Sequence, residues 1–331
     1  MIVSGFRPLT GAQCESTTCR NLLASEGLEL SEPMVFGLGS GLDFNYMERY
    51  DRKTDLREPM VFCTAIPGRM AKNLGEALGP KLIIEETVSR SQARENLLRR
   101  LDSGKPYGLK LDGYYLEYVE RKAHFNAYFV TACGYDDTNL YLVDVGSSEI
   151  RKSSLCGIEQ ARSAKGFLAS KNMGIYYDWR PLVPFEHALK VALSKTVMEM
   201  LYDQSSFRGV KGIEKFGERV RGWRKNPNFK YQLINHYLAW EGEAGGRGGF
   251  RKLYADFLEE ASIVLNNPRL GAAGEALRSV ASDWAGIDGR LRQMCTEQDG
   301  LSSGLNEVSK VIKRQAKLEA EAFRLIEAAI C

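Results

Sequence analysis

Cys14 is the first residue whose position suggests chemistry. It follows "TGAQ" and opens "CESTTCRNLLAS", in which the spacing of apolar residues predicts a helix over residues 14–25. An ordinary thiol has a pKa near 8.5, so only a small part of it is thiolate at neutral pH. The partial positive charge at a helix N-terminus, about +0.5, favours the thiolate, and its free N–H groups can hold an oxyanion, with help from the Gln13 amide. Cys14 is therefore a candidate nucleophile, and the alternative is a buried structural cysteine.

The segment His124–Asp144, "HFNAYFVTACGYDDTNLYLVD", predicts two strands joined by a tight turn. A cysteine nucleophile needs a base and an acid that orients the base, and a hairpin of this kind can supply both. Asp144 ends the second strand and is the candidate orienting acid. The alternative is a strand-end carboxylate that caps a turn. His124 is a candidate base, although it lies early in the segment.

The elements that position these residues differ between the two halves of the chain. In the first half, strands are predicted in "EPMVFCTAIPG" and "KLIIEETV", a pair of strands in "PYGLKLDGYYLEY", and helices in "GRMAKNLGEALG" and "SRSQARENLLRRLDSG". Glycines at positions 37, 39 and 41 predict a turn and loop within "SEPMVFGLGSGLDFNY". From about Pro184 the spacing of apolar residues is helical. We therefore expect one domain over residues 1–150, a linker over 151–183 and a helical domain over 184–331.

The composition limits the classes of function. The chain has 331 residues, 44% hydrophobic and 26% charged, as is usual for a globular protein. A net charge of +3 does not indicate a nucleic-acid partner, and no apolar run approaches the roughly 20 residues of a membrane helix. The N-terminus has no charged region followed by an apolar one, which predicts no secretory signal. The seven cysteines form no CxxC pair or zinc-type cluster, which indicates free thiols, no metal site and a cytoplasmic location.

Two blocks of the sequence resemble the butirosin biosynthesis protein H-like family. The first is "GAQCESTTCRNLLASEGLELSEPMVFGLGSGLDFNY", in which the matching residues are Gly11, Cys14, Thr17, Asn21, Ser31, Glu32, Phe36, Gly37, Leu38, Gly39 and Gly41. The second is "GEAGGRGGFRKLYADFLEEA", with Gly245, Gly246, Gly248, Gly249, Phe250, Arg251, Tyr254, Phe257, Leu258, Glu260 and Ala261. The resemblance therefore extends over nearly the whole chain.

What the resemblance implies is an α+β protein with a papain-like (cysteine-protease-like) N-terminal domain and an all-helical C-terminal domain. It also implies an acyltransferase of natural-product biosynthesis, antibiotic biosynthesis included. Such an enzyme takes an acyl group from an acyl carrier protein thioester, holds it on Cys14 and forms an amide with a small-molecule amine. No bound cofactor is expected, because the phosphopantetheine arrives on the carrier protein. The long amphipathic terminal helices are also compatible with a homodimer.

The sequence departs from the family pattern at two positions of the site. The position of the base, six residues before Gly134 and sixteen before Asp144, holds Tyr128. Gln13 stands where the family tends to have a histidine. Tyrosine has a pKa near 10 and is a poor base for a thiol at pH 7. Tyr128 therefore either handles protons in a changed way or is an ordinary core tyrosine of a strand.

Three interpretations of the site stay open. His124 could act as the base if the strand bulges, because four extended residues span roughly 13 Å. Alternatively, the helix N-terminus alone activates Cys14 and the incoming amine brings its own proton acceptor. In the third interpretation the thiol chemistry is lost. The expected function is amide-forming acyl transfer, and the alternatives are a thioesterase or amidase-type cysteine hydrolase and a catalytically degenerate binding subunit.

Overall fold

A computed structural model of the chain describes residues 1–52, 55–120, 124–225, 248–296 and 301–331. The chain forms two compact units. The first comprises Met1–Val35 and Pro67–Val183, and the second comprises Phe36–Ile66 and Pro184–Cys331. Since the chain passes between the units three times, neither is one continuous stretch of sequence. The α+β class expected from the sequence is confirmed.

The helices and strands have the following bounds. The helices are α1 (Cys14–Ala24), α2 (Glu32–Leu38), α3 (Arg69–Leu78), α4 (Arg90–Asp102), α5 (Leu155–Ser163), α6 (Phe185–Leu201), α7 (Gly209–Arg219), α8 (Arg251–Val264), α9 (Pro268–Thr296) and α10 (Leu301–Ile330). The strands are β1 (Leu42–Asp51), β2 (Leu56–Thr64), β3 (Lys81–Glu85), β4 (Tyr107–Leu111), β5 (Tyr128–Tyr135), β6 (Asn139–Asp144), β7 (Ser147–Ser154) and β8 (Gly174–Asp178). Short 3-10 helices cover Gly113–Tyr115 and Val220–Lys225.

The first unit is built on a six-stranded sheet with the order β3-β8-β4-β5-β6-β7. Each neighbouring pair is antiparallel. The turn between β5 and β6 is made by Asp136, whose carboxylate accepts the N–H groups of Thr138 and Asn139 at 2.9 and 2.7 Å. The register of this hairpin brings the start of β5 and the end of β6 to the same end of the sheet.

A cluster of buried apolar side chains holds the sheet, α4 and α5 together. Its members include Leu97, Leu101, Leu109, Leu111, Val130, Ala132, Leu140, Leu142, Leu155 and Ile158. Helix α1 lies against Gly108 of β4, where an added Cβ would come within 2.9 Å of Thr18 and 3.2 Å of Leu22. The absence of a side chain at Gly108 therefore allows α1 to approach the sheet closely.

The second unit combines the β1–β2 hairpin with α6 to α10 and has an aromatic core. Phe44 stacks on Phe216 and Trp284 with ring centroids 6.0 and 5.5 Å apart. Arg251 and Glu319 form a fully buried ion pair, with Nη2 and Oε2 3.0 Å apart. Trp284 donates a further hydrogen bond from Nε1 to Glu319, so the carboxylate is compensated inside the core.

Some predicted boundaries differ from the structure. The segment 151–183, expected as a linker, completes β7 and forms α5 and β8, and β8 lies between β3 and β4 in the sheet. Within 31–46, expected as turn and loop, α2 and the start of β1 form, and 36–66 belongs to the second unit. The stretch after β4 is a 3-10 helix and not a second strand, because the Asp112 side chain caps it.

The C-terminal segment from Pro184 onward holds helices, and within its described parts, 184–225, 248–296 and 301–331, no strand occurs. Among the described residues of the whole chain, none of the helices combines the length and apolar character needed to span a membrane.

Candidate functional site

Cys14 is the first residue of α1, and the residues before it are fixed by side-chain oxygens. Gln13 is extended and its Oε1 accepts the N–H of Ser16 at 2.6 Å, which caps the helix. The Glu32 carboxylate accepts the N–H groups of Ala12 and Gln13 at 2.8–2.9 Å and the Ser16 hydroxyl at 2.7 Å. The Gln13 amide oxygen is thus occupied by the cap, so only its NH₂ group can act as a donor.

The loop before α1 needs a glycine at position 11 because the Glu32 carboxyl group lies against it. A Cβ at Gly11 would come within 2.3 Å of the Glu32 carboxyl carbon. The carboxylate can therefore reach the N–H groups before Cys14 only if residue 11 has no side chain.

The Cys14 thiol is disfavoured as a thiolate. Burial raises the pKa of Cys14 to about 12, and the nearby carboxylates of Glu15 and Asp144 act in the same direction, whereas the Phe129 N–H lowers it. A shift from 9.0 to about 12 corresponds to roughly 4 kcal/mol against the thiolate. A helix N-terminus supplies up to about 2 kcal/mol. Burial of the sulfur therefore outweighs the helix dipole, and the resting group is a neutral thiol on a residue that keeps part of its surface exposed.

Glu15 follows Cys14 and faces α3. Its carboxyl group accepts the N–H groups of Gly68 and Ala71 at 3.0 and 2.8 Å, which caps that helix. Burial raises the pKa of Glu15 to about 7, against the effect of these hydrogen bonds and of the Lys110 charge.

Tyr128 and Asp144 are in direct contact at the same end of the hairpin. The Tyr128 hydroxyl donates to Asp144 Oδ1 at 2.7 Å, and the Tyr118 hydroxyl donates to Oδ2 at 2.8 Å. Burial raises the pKa of Asp144, although both tyrosines and the Val145 N–H oppose this shift. Burial beside Asp144 also raises the pKa of Tyr128 and of Tyr118 far above 10. Both phenols are thus neutral donors to one buried carboxylate.

Cys14 belongs to the same constellation. Negative charge on Cys14 raises the pKa of Tyr128, and Asp144 raises the pKa of Cys14, so all three groups interact. Because the single Tyr128 proton is given to Asp144, the remaining lone pairs of its hydroxyl can accept the proton of a neighbouring S–H. The electrostatic interactions couple Cys14 to both groups, and the hydrogen bond within the site joins Tyr128 to Asp144.

His124 is not part of this constellation. Its Nδ1 lies 2.8 Å from Oδ2 of Asp112, and its ring stacks on Tyr114 with a centroid distance of 4.0 Å. The bulge that would carry His124 to the position of Tyr128 does not occur, because the buried Asp112 carboxylate holds the imidazole at the end of β4.

Sequence reasoning did not identify Tyr118 or Asp112. Both come from "LDGYYLEY", which has no periodic pattern, and no spacing rule links it to Cys14. In the parts of the chain that the structure describes, no group of three or more potential metal ligands occurs.

Two known families match parts of the chain. Residues 13–145 match the family described as "Butirosin biosynthesis protein H, N-terminal", which includes Cys14, Tyr128 and Asp144. Residues 157–326 match the "Domain of unknown function (DUF4872)". This second match begins within α5, which packs on the sheet of the first unit. Gly245 and Gly246, which contribute to the resemblance in the second half, lie outside the described residues.

No curated protein matches the chain. The two family matches together cover almost the whole of it, and the chain belongs to the butirosin biosynthesis protein H-like family.

Proposed function

We propose that this protein forms an amide by transferring an acyl group from a thioester to an amine, with Cys14 as the transient acyl carrier. The observation that carries the proposal is the hydrogen bond of 2.7 Å from Tyr128 to Asp144, two groups that both interact electrostatically with the Cys14 thiol. The family name supports a role in natural-product biosynthesis. An acyl carrier protein as donor and a papain-like architecture follow from the resemblance and remain predictions.

The proton balance of thioester exchange suits a site without an imidazole. In the first half-reaction the Cys14 sulfur bonds to the acyl carbon, the donor's C–S bond breaks and the leaving sulfur takes up the proton that Cys14 loses. The proton passes from one sulfur to another, so no ionised resting thiol is required. A neutral hydroxyl such as that of Tyr128 can relay it, because the hydroxyl accepts from the S–H while donating to Asp144.

Asp144 would hold the proton during this relay. Burial raises its pKa, so its carboxylate accepts a proton more readily than an ordinary aspartate. Tyr118 supports the same carboxylate from the other oxygen. In the second half-reaction the amine nitrogen bonds to the acyl carbon, the bond to Cys14 breaks, and one amine proton returns to the sulfur by the same path.

Two features favour a second candidate function. The raised pKa of Cys14 and the tyrosine at the position of the base both reduce the reactivity of the thiol. A binding subunit that holds an acyl or amine ligand without chemistry would have the same features. A hydrolase would use the same proton path, because water also gives one proton to the Cys14 sulfur as the C–S bond breaks, so the products of discharge must distinguish the hydrolase from the transferase.

Intact-mass spectrometry after incubation with a short-chain acyl thioester of N-acetylcysteamine separates these functions. We expect one acyl adduct in the wild type and none in Cys14→Ala. Cys156 and Cys331 are exposed, so the experiment uses a Cys156→Ser, Cys331→Ser background, and peptide mapping locates the adduct.

Discharge of the adduct then identifies the reaction. Loss that requires an added amine, together with amide product, supports the transferase. Loss at the same rate in water alone supports the hydrolase. If the wild type forms no adduct but the thioester still raises its thermal stability, the binding subunit is the better description.

A further inference from the structure

The imidazole of His124 is fixed by a buried carboxylate at the end of β4. Its Nδ1 lies 2.8 Å from Asp112 Oδ2, while Asp112 Oδ1 accepts the N–H groups of Phe125 and Tyr114 at 2.9 and 3.1 Å. The Asp112 side chain is 1% exposed and the His124 side chain is 60% exposed. A carboxylate held in this way accepts the Nδ1 proton, which leaves Nε2 as the acceptor nitrogen on an accessible ring.

Aromatic contacts restrict the orientation of the imidazole further. The Tyr114 ring stacks on it at 4.0 Å with an interplanar angle of 20°, and the Tyr115 ring meets it edge-on at 6.0 Å. The ring is therefore held in one plane, unlike an ordinary surface histidine, whose side chain samples several rotamers.

The His124–Asp112 pair adjoins Tyr128. Leu111, the residue before Asp112, is the register partner of Tyr128 between β4 and β5. A Cβ on Gly113 would lie 3.6 Å from Cγ of Tyr128, and the Gly113 N–H donates to the Phe125 carbonyl at 3.3 Å. The loop that carries the pair thus packs on the ring whose hydroxyl is bonded to Asp144.

We infer that His124 and Asp112 form a second acid–base pair that deprotonates the amine acceptor before it attacks the acyl group on Cys14. This inference rests on the proposed function. An alkylamine at neutral pH is an ammonium ion and has no lone pair for attack. His124 Nε2 takes one proton, and Asp112 stabilises the imidazolium that results. The free amine then forms the C–N bond, its second proton goes to the Cys14 sulfur as the C–S bond breaks, and the imidazolium releases its proton to solvent.

The two pairs would then serve different steps of one reaction. The Tyr128–Asp144 pair serves the exchange between sulfurs, in which no net proton is released. The His124–Asp112 pair serves the one step that releases a proton, namely the conversion of an ammonium ion into an amide nitrogen. A tyrosine alone is a poor acceptor for that proton.

The test follows discharge of the acyl group from isolated acyl-protein by mass spectrometry, with two amine probes. n-Propylamine is an ammonium ion at neutral pH, whereas hydroxylamine is largely unprotonated. In His124→Gln we expect loading of Cys14 to be unchanged, discharge by n-propylamine to fall by roughly 100-fold, and discharge by hydroxylamine to stay at the wild-type rate.

Asp112→Asn is a second variant that keeps an acceptor for the Phe125 and Tyr114 N–H groups. Its NH₂ group would donate to Nδ1 and shift the proton of the imidazole to Nε2, where it blocks uptake from the amine. We expect the same selective loss with n-propylamine. Thermal unfolding of both variants checks that the fold is retained.

The outcomes separate the inference from the proposed function. Discharge of His124→Gln by n-propylamine at the wild-type rate overturns the inference alone. Equal slowing with both amines indicates a structural role for His124 and also overturns it. A wild type that takes up no acyl group overturns the proposed function, and the inference with it.

Discussion

Replacing Tyr128 with histidine should make the Cys14 thiol more reactive. In the wild type, a pKa of about 12 leaves roughly one thiol in 10⁵ ionised at pH 7, against about 3% of a free cysteine with a pKa near 8.5. A more basic thiolate is the better nucleophile, by roughly 30- to 50-fold over this interval. The two effects together predict that Cys14 reacts with iodoacetamide about 100 times more slowly than free cysteine.

The variant Tyr128→His supplies a group that can take the thiol proton and remain charged. Asp144 is within hydrogen-bonding distance of the present tyrosine hydroxyl, so it can accept an imidazole N–H and stabilise an imidazolium. An imidazolium beside the sulfur lowers a cysteine pKa by several units. We expect alkylation at pH 7 to accelerate by at least about tenfold, and by about 100-fold if the pKa returns to its ordinary range.

The assay is a time course of iodoacetamide labelling, with Cys14 identified by peptide mapping. Tyr128→Phe is the matched control, because it removes the hydroxyl without supplying a base, and it should leave the rate low. Rapid labelling of wild-type Cys14, at the rate of free cysteine, would refute the conclusion that burial dominates its pKa. An unchanged rate in Tyr128→His would refute the coupling of residue 128 to Cys14.

Three further predictions concern the supporting structure. Gly11→Ala should cost about 1–3 kcal/mol, because the new methyl group overlaps the Glu32 carboxyl; a melting temperature equal to that of the wild type would contradict this. Glu319→Gln should lower the free energy of unfolding in urea by about 3–5 kcal/mol by leaving the buried Arg251 charge uncompensated, and a cost under 1 kcal/mol would argue against the pair. The folded-state pKa of Glu15, about 7, lies above the ordinary 4.5, so its contribution to stability is complete below about pH 4.5 and is lost as pH rises through 7. The stability difference between the wild type and Glu15→Gln should therefore shift by up to about 3 kcal/mol between pH 4.5 and pH 8, and a difference independent of pH would count against a buried, protonated Glu15.

The contact between Tyr128 and Asp144 could be anticipated because a hairpin fixes its own register. The two residues lie in adjacent strands of one local hairpin, and the spacing that the family resemblance implies predicts that they belong to one site. Asp112 and Tyr118 could not be found in this way. They come from a 3-10 helix and its flank, and their positions depend on packing against strands from other parts of the chain.

The sequence of β1 contains the alternation typical of a strand, but the neighbouring glycines favour a loop. Leu42, Phe44 and Tyr46 alternate with Asp43 and Asn45, which is the pattern of a strand. The three preceding glycines favoured a loop instead. Asp43 and Asn45 are also fully buried, so the alternation does not separate a core face from a solvent face, and the pairing with β2 decides the structure.

The short strand at residues 174–178 was missed for a different reason. Its five residues, "GIYYD", carry too little pattern to distinguish a strand from a loop. It pairs with β3 and β4, and β3 lies about 90 residues earlier in the sequence. Such distant pairing depends on the complete fold and leaves no local trace in the sequence.

The position of β8 inside the sheet, between β3 and β4, also sets the order in which the nascent protein can fold. Until residue 178 has left the ribosome, the strand position between β3 and β4 is unfilled. The backbone N–H and C=O groups of β3 and β4 that later pair with β8 are then free to pair with any extended chain nearby. A fragment that stops at residue 150 lacks β8, so these backbone groups stay unpaired. Such a fragment should precipitate or recruit a foreign strand, even though it contains Cys14, Tyr128 and Asp144.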